Sequence, residues 1–158
     1  MLGGRPHEIR KEMNDFGLDA NSIQGKSALT ITSYDEVYII NGEVRIPEII
    51  GRFSRMVDTY RSQGLNGLRA GAEMSCFLKL GKVEELLAYE NALHRKFAFQ
   101  AEGICAYNLF EMNNLGFLDL FMPLVRAHDP VIFASPNGYL IMKPEKVQTK
   151  HAEMMLAS

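Results

Sequence analysis

Tryptophan is absent, cysteine is scarce, and neither sign of charge dominates. Two cysteines in 158 residues, Cys76 and Cys105, cannot build a disulfide framework, and each sits in an apolar stretch as a reduced core thiol would. No apolar run approaches the roughly 18–20 residues of a membrane span. The opening Met1-Leu2-Gly3-Gly4-Arg5-Pro6 lacks the apolar core of a signal peptide, so a cytoplasmic location and no membrane contact are expected. Lys+Arg 17 against Asp+Glu 19 leave a net charge of -2, which gives no overall cationic field for direct nucleic-acid binding. There is no G-x-G-x-x-G and no G-x-S-x-G, so a dinucleotide fold and a hydrolase elbow lack support. Gly25-Lys26-Ser27 imitates the end of a phosphate loop, but the glycine needed five positions earlier is Ala20, and the triplet leads into an expected strand. The histidines His7, His94, His128 and His151 are scattered, with no pair at local zinc-ligand spacing. No metal, no cofactor and no catalytic residue is expected.

What is present is a foldable chain, 47% hydrophobic and 23% charged, which excludes disorder and fits one domain. Arg5–Phe16 reads as a short helix and Asp19–Lys26 as a polar loop. Ala28–Tyr34 alternates Leu29 and Ile31 with Thr30 and Thr32, as a strand does. Val37–Ile40 is a second apolar piece before a tight turn at Asn41-Gly42. Ile46–Ser62 is the clearest helix, with Ile46, Ile49, Ile50, Phe53, Met56, Val57 and Tyr60 on one stripe, Pro47 in the first turn and Gly64 as the stop. Leu68–Ser75 reads as a strand, Lys82–Phe99 as a helix and Gly103–Tyr107 as a strand. Leu115–Ala127 follows as a helix bent at Pro123, then Pro130–Ala134 as a strand paired back with Tyr139–Met142 across Pro136-Asn137-Gly138. Alternating strands and helices predict an α/β fold, a three-layer sandwich with a mainly parallel sheet. Residues 1–145 form the domain and 146–158 a tail.

A few polar residues do not fit a plain core. Arg69 and Glu73 share one face of a strand that a central parallel sheet would keep apolar. Such charges either tie a helix to the sheet or face a ligand beyond the carboxyl end of the strands. Glu90 falls on the buried stripe of its helix, with His94 one turn on and Tyr89 beside it. That pair is either half-solvated at the helix edge or holds a polar ligand. Tyr107 and Asn108 end the next strand at its carboxyl edge. His128 precedes the last strand pair and suits a helix C-terminus, where the dipole favours it.

Taken in order, Gly67-Leu68-Arg69-Ala70-Gly71-Ala72-Glu73-Met74-Ser75, Leu87-Ala88-Tyr89-Glu90-Asn91-Ala92-Leu93, Ile104-Cys105-Ala106-Tyr107-Asn108 and His128-Asp129-Pro130-Val131-Ile132 resemble the methanogen/methylotroph DcmR sensory (MEDS) family. The upstream stretch with Tyr34, Tyr38 and Asn41-Gly42-Glu43 fits the same pattern, so the resemblance spans about residues 7–142. It implies a RecA/KaiC-like layout without a Walker A loop, and Arg69, Glu73, Tyr89, Glu90, Cys105 and Tyr107 carry the family pattern. Members usually begin with a further strand and helix, and this chain starts after that region. Cys76 stands where an aromatic is common, and Asn108 where an aspartate is.

The resemblance implies a sensory domain of bacteria or archaea rather than an enzyme. It would be a signal-input module for a small organic effector or a partner protein, in transcriptional or two-component signalling. The partner chain would be a DNA-binding regulator or a histidine kinase, and the module a homodimer. The expected ligand-binding set is Arg69, Glu73, Tyr89, Glu90, His94, Tyr107 and Asn108. Two other readings stay open: a degenerate RecA-like nucleotide-binding ATPase, and a structural oligomerisation scaffold.

Overall fold

The computed structural model describes residues 6–25, 28–94 and 101–156. The chain opens with helices α1 (Pro6–Asp15) and α2 (Ala20–Gly25), the latter in a stretch expected to be a loop. The start signal is Asp19, whose carboxylate accepts the Ser22 N–H at 2.9 Å as an N-cap does. Lys26 and Ser27 of the phosphate-loop imitation lie outside the described residues.

The strand expected at Ala28–Tyr34 is not formed. Residues 28–33 have no partner strand among the described residues, and a strand exists only where a neighbour takes its backbone groups. Their polar side chains turn to helices instead, with Thr30 Oγ1 3.3 Å from the Tyr60 hydroxyl and Thr32 bonded to Glu36. The chain then winds into α3 (Tyr34–Tyr38). The Asn41-Gly42 turn is present, both residues with positive φ (55° and 82°), closed by an antiparallel bridge between Ile40 and Glu43.

Helix α4 (Ile46–Ser62) has the bounds its periodicity predicts. Its end is a Schellman motif: Leu65 N–H bonds to Tyr60 O and Gly64 N–H to Arg61 O, with Gly64 at φ 83°. Ile49 and Val57 on its stripe are fully buried, each worth roughly 1.5–3 kcal/mol of apolar transfer. Strand β1 (Leu68–Glu73), helices α5 (Ser75–Lys79) and α6 (Val83–His94), and strand β2 (Ala101–Ala106) follow. Residues 95–100, where the α6 helix was expected to continue, lie outside the described residues. β1 and β2 pair in parallel, with Arg69 opposite Glu102 and Ala72 opposite Cys105.

Helix α7 (Leu109–Asn114) precedes the single helix expected over Leu115–Ala127, and that span itself is two pieces, a 3₁₀ turn (Leu118–Leu120) and α8 (Phe121–Arg126). Pro123 starts a helix rather than bending one, because it lies in the first turn of α8, where its missing N–H costs nothing. Strands β3 (Val131–Ser135) and β4 (Gly138–Met142) form the expected antiparallel hairpin. The stretch read as a tail from Lys146 is helical to Leu156 as part of α9 (Pro144–Leu156), anchored by buried Val147.

The fold is mixed α/β, with one parallel strand pair and one antiparallel pair among the described residues. A continuous core gathers Tyr38, Ile49, Met74, Phe77, Leu86 and Met112 between the helices and one face of the β1–β2 pair. The opposite face of that pair carries exposed Arg69, Gly71, Glu102 and Ile104.

Candidate functional site

Helix α6 alternates buried and open positions, and its inward stripe brings Leu86, Tyr89 and Glu90 into the core. Glu90 is only 2% exposed. A carboxylate so placed needs partners, because an unpaired buried charge is expensive. Two supply them. The Tyr107 hydroxyl, just past the end of β2, donates to Glu90 Oε1. His128, just past α8, brings Nε2 to 3.2 Å from Glu90 Oε2. That contact is electrostatic first, since the imidazole nitrogen is poorly aligned for a hydrogen bond. The other ring nitrogen, Nδ1, lies 2.7 Å from the Leu124 carbonyl oxygen, which closes the last turn of α8. The Tyr107 and His128 rings meet edge to face at 6.1 Å. Cys105 of β2 completes the group: Sγ, a Glu90 oxygen and a His128 ring nitrogen all lie within 4.8 Å of one another.

Environment decides the charge states. Burial pushes the Glu90 carboxyl upward, but contacts with His128 and Tyr107 outweigh it and hold the group below its ordinary value. His128 is raised, first by Glu90, against a smaller opposing effect of burial. Burial, and then the neighbouring carboxylate, push both the Cys105 thiol and the Tyr107 hydroxyl up, so both are neutral. Burial similarly lifts the thiol of Cys76 to about 11, with Glu73 adding to it.

An apolar cleft of about 40 Å³ lies beside this cluster, lined in part by Phe53, Ala70, Ala72, Tyr89 and Cys105. A single water needs roughly 10–15 Å³, so the cleft has room for a molecule of a few heavy atoms. Tyr38 and Tyr89 line it and belong to an aromatic triad with Phe77: Tyr38 lies edge-on to Phe77 (5.3 Å) and to Tyr89 (5.5 Å), and Phe77 stacks on Tyr89 (6.0 Å).

Of the expected ligand-binding residues, the structure brings together Tyr89, Glu90 and Tyr107, while Arg69, Glu73 and Asn108 make other contacts. Arg69 does not meet Glu73; it pairs with Glu102 at 2.8 Å across the strands, 87% exposed. The open face of β1 makes a charge there ordinary. Glu73 accepts the Ser75 N–H at 2.8 Å, the first N–H of α5, and Asn108 accepts the Glu111 N–H at 3.1 Å and caps α7. The Asn108-x-x-Glu111 spacing was a legible start signal for that helix. His94 is the last residue of α6, and its side chain lies outside the described residues. His128 was placed by the sequence at a helix end, which it closes, but its second nitrogen reaching Glu90 was missed. Cys105 reads from the sequence as a reduced core thiol and as part of the family pattern, not as a neighbour of Glu90. No local signal links either residue to Glu90, since the three come from separate elements.

No helix among the described residues is long and apolar enough to cross a membrane. Neither a curated protein nor a solved structure matches the chain. The family model described as MEDS, MEthanogen/methylotroph, DcmR Sensory domain, matches residues 2–121, a stretch holding Glu90, Cys105 and Tyr107 but ending before His128. With that match over most of its length, the chain belongs to the MEDS family of sensory domains.

Proposed function

We propose that this chain is a non-catalytic, cytoplasmic signal-input module whose sensing centre is the cleft at Tyr89 and Cys105, backed by the Glu90 cluster. The observation that carries the reading is Glu90 itself. A buried ionic group is rarely the cheapest way to fill a core, and an apolar residue of similar volume is often as stable or more so. A buried carboxylate beside a cleft therefore reads as a working group. Membership of a sensory family supports the same conclusion.

The effector that fits is small and mainly apolar, because the cleft walls are aromatic and aliphatic. A ligand shifts a module only by favouring one of two arrangements. Seated between α4, α6 and the β1–β2 pair, it would press on α6, and the Glu90–His128 contact ties α6 to the end of α8. The output would pass to a separate DNA-binding regulator or histidine kinase through a changed homodimer contact. The open face of β1–β2 is where further layers would complete a RecA/KaiC-like sandwich without a phosphate loop.

A thermal-shift screen with small organic and halogenated compounds tests the reading. Binding raises the melting temperature with ligand concentration. The rise is expected in the native chain and absent from Ala70→Leu, which fills the cleft. A rise that survives Ala70→Leu, or no rise with any compound, overturns it. A rise with magnesium-ATP alone would favour a nucleotide-binding module instead.

A further inference from the structure

We propose that Glu90, Cys105 and His128 form a binding site for one divalent transition-metal ion of the zinc class. The site goes beyond the sensory reading and does not depend on it. The sequence hides it, because the three donors come from α6, β2 and the turn after α8 rather than from one motif.

The arrangement of His128 is the first argument. Its Nδ1 sits on the Leu124 carbonyl at 2.7 Å, and a carbonyl oxygen can only accept, so Nδ1 carries the proton. In the neutral ring Nε2 then carries a lone pair, with an electron-rich carboxylate oxygen 3.2 Å away and off the axis that a hydrogen bond needs. The two repel unless a cation sits close to both. A proton is one such cation. A metal ion is the other, and an imidazole whose far nitrogen donates to a backbone carbonyl is how metal-bound histidines are commonly held. Nε2 is buried and has no well-aligned hydrogen-bond partner among the described residues.

Spacing and charge favour the metal. The three donor atoms lie within 4.8 Å of one another. The centre of a triangle that size is about 2.8 Å from its corners, so reaching zinc bond lengths of roughly 2.0–2.3 Å needs shifts under about 1 Å. Thiolate, imidazole and carboxylate are the ligand types that zinc and its neighbours accept. Two anionic donors and one neutral donor cancel a divalent charge, so the loaded site is neutral and burial costs little. Loading displaces the Cys105 thiol proton, and any proton on His128 Nε2, to solvent. Tyr107 holds the second Glu90 oxygen and orients the carboxylate from outside the coordination shell. Three protein donors leave a fourth position for water or a small ligand. Cys105 also lines the cleft, which sets one ligand of the ion beside it.

The test uses the full chain, reduced and stripped with a chelator, titrated with cobalt(II) as a visible stand-in for zinc. One equivalent is expected to produce a thiolate-to-cobalt charge-transfer band and the ligand-field bands of a four-coordinate ion, both erased by zinc. Cys105→Ser should abolish the charge-transfer band, while Cys76→Ala keeps it. Glu90→Gln should weaken binding by at least the ~10–100-fold that losing an outer partner costs, and Tyr107→Phe by about the lower end of that range. Circular dichroism confirms that each variant is folded. Absence of the charge-transfer band in the native chain would overturn the site and leave a proton between His128 and Glu90. A band that persists in Cys105→Ser would overturn it equally.

Discussion

Two pairings of a carboxylate with a basic side chain in this molecule are physically unlike. Arg69 and Glu102 face each other across β1 and β2 at 2.8 Å, with their side chains 87% and 75% exposed. Glu90 and His128 meet at 3.2 Å in the core, at 2% and 24%. The exposed pair has the shorter contact, yet water screens it and surrounds either ion when the other is gone. The buried pair has no such reserve: losing one member strands the other in a medium that cannot solvate it. Distance alone is a poor guide to which pair matters; surroundings decide.

That contrast can be broken by experiment. Glu90→Ala should cost about 3–5 kcal/mol in urea denaturation, since it leaves the Tyr107 hydroxyl and His128 without their acceptor. A loss below about 1 kcal/mol would place the buried pair with the surface ones, where such values are usual. Tyr107→Phe keeps the ring and deletes one bond to a charged acceptor, so a loss of about 1.5–3 kcal/mol is expected in the same assay.

The Lys79–Glu111 pair, at 2.7 Å and half-exposed, sharpens the comparison from between. Lys79→Met should cost only about 0.2–1 kcal/mol at neutral pH. The Lys79 hydrogen bond holds Glu111 below its ordinary 4.5, so the contribution is present above that value and is lost as pH falls through the lower, folded-state one. Urea midpoints of the native chain and Lys79→Met should therefore converge in acid. Last, Arg69→Ala should leave the midpoint unchanged within error, with or without added salt; a measurable drop would mean that the open face of β1 is covered in solution.

The sequence carried the local structure well where the signal was itself local. The stripe from Ile46 to Tyr60, closed by Gly64, defined α4 to the residue. The Asn41-Gly42 turn and the β3–β4 hairpin were equally legible, because turn chemistry lies in adjacent residues. Thr30, Ile31 and Thr32 had strand chemistry but no strand to pair with among the described residues, a fact that only the assembled chain decides. Arg69 looked anomalous on the assumption that helices cover both faces of its strand, and one face is open. For the candidate site, Glu90 and Tyr107 were visible as polar residues out of place. Their meeting was not, and neither was His128: Glu90 had a ready-made neighbour one turn on in His94, whereas the partner that reaches it arrives from beyond α8. Periodicity finds which side chains point inward but not whom they meet there.

Because the match to the family model ends at residue 121 and the imidazole that completes the cluster stands at 128, anyone trimming this protein to the matched segment would cut through its most demanding polar contact. The shortened chain would keep Glu90 and Tyr107 and discard the hairpin and α9. A stable, soluble fragment would then be a poor proxy for the parent, and failure to respond to any compound would say more about the scissors than about the sensor.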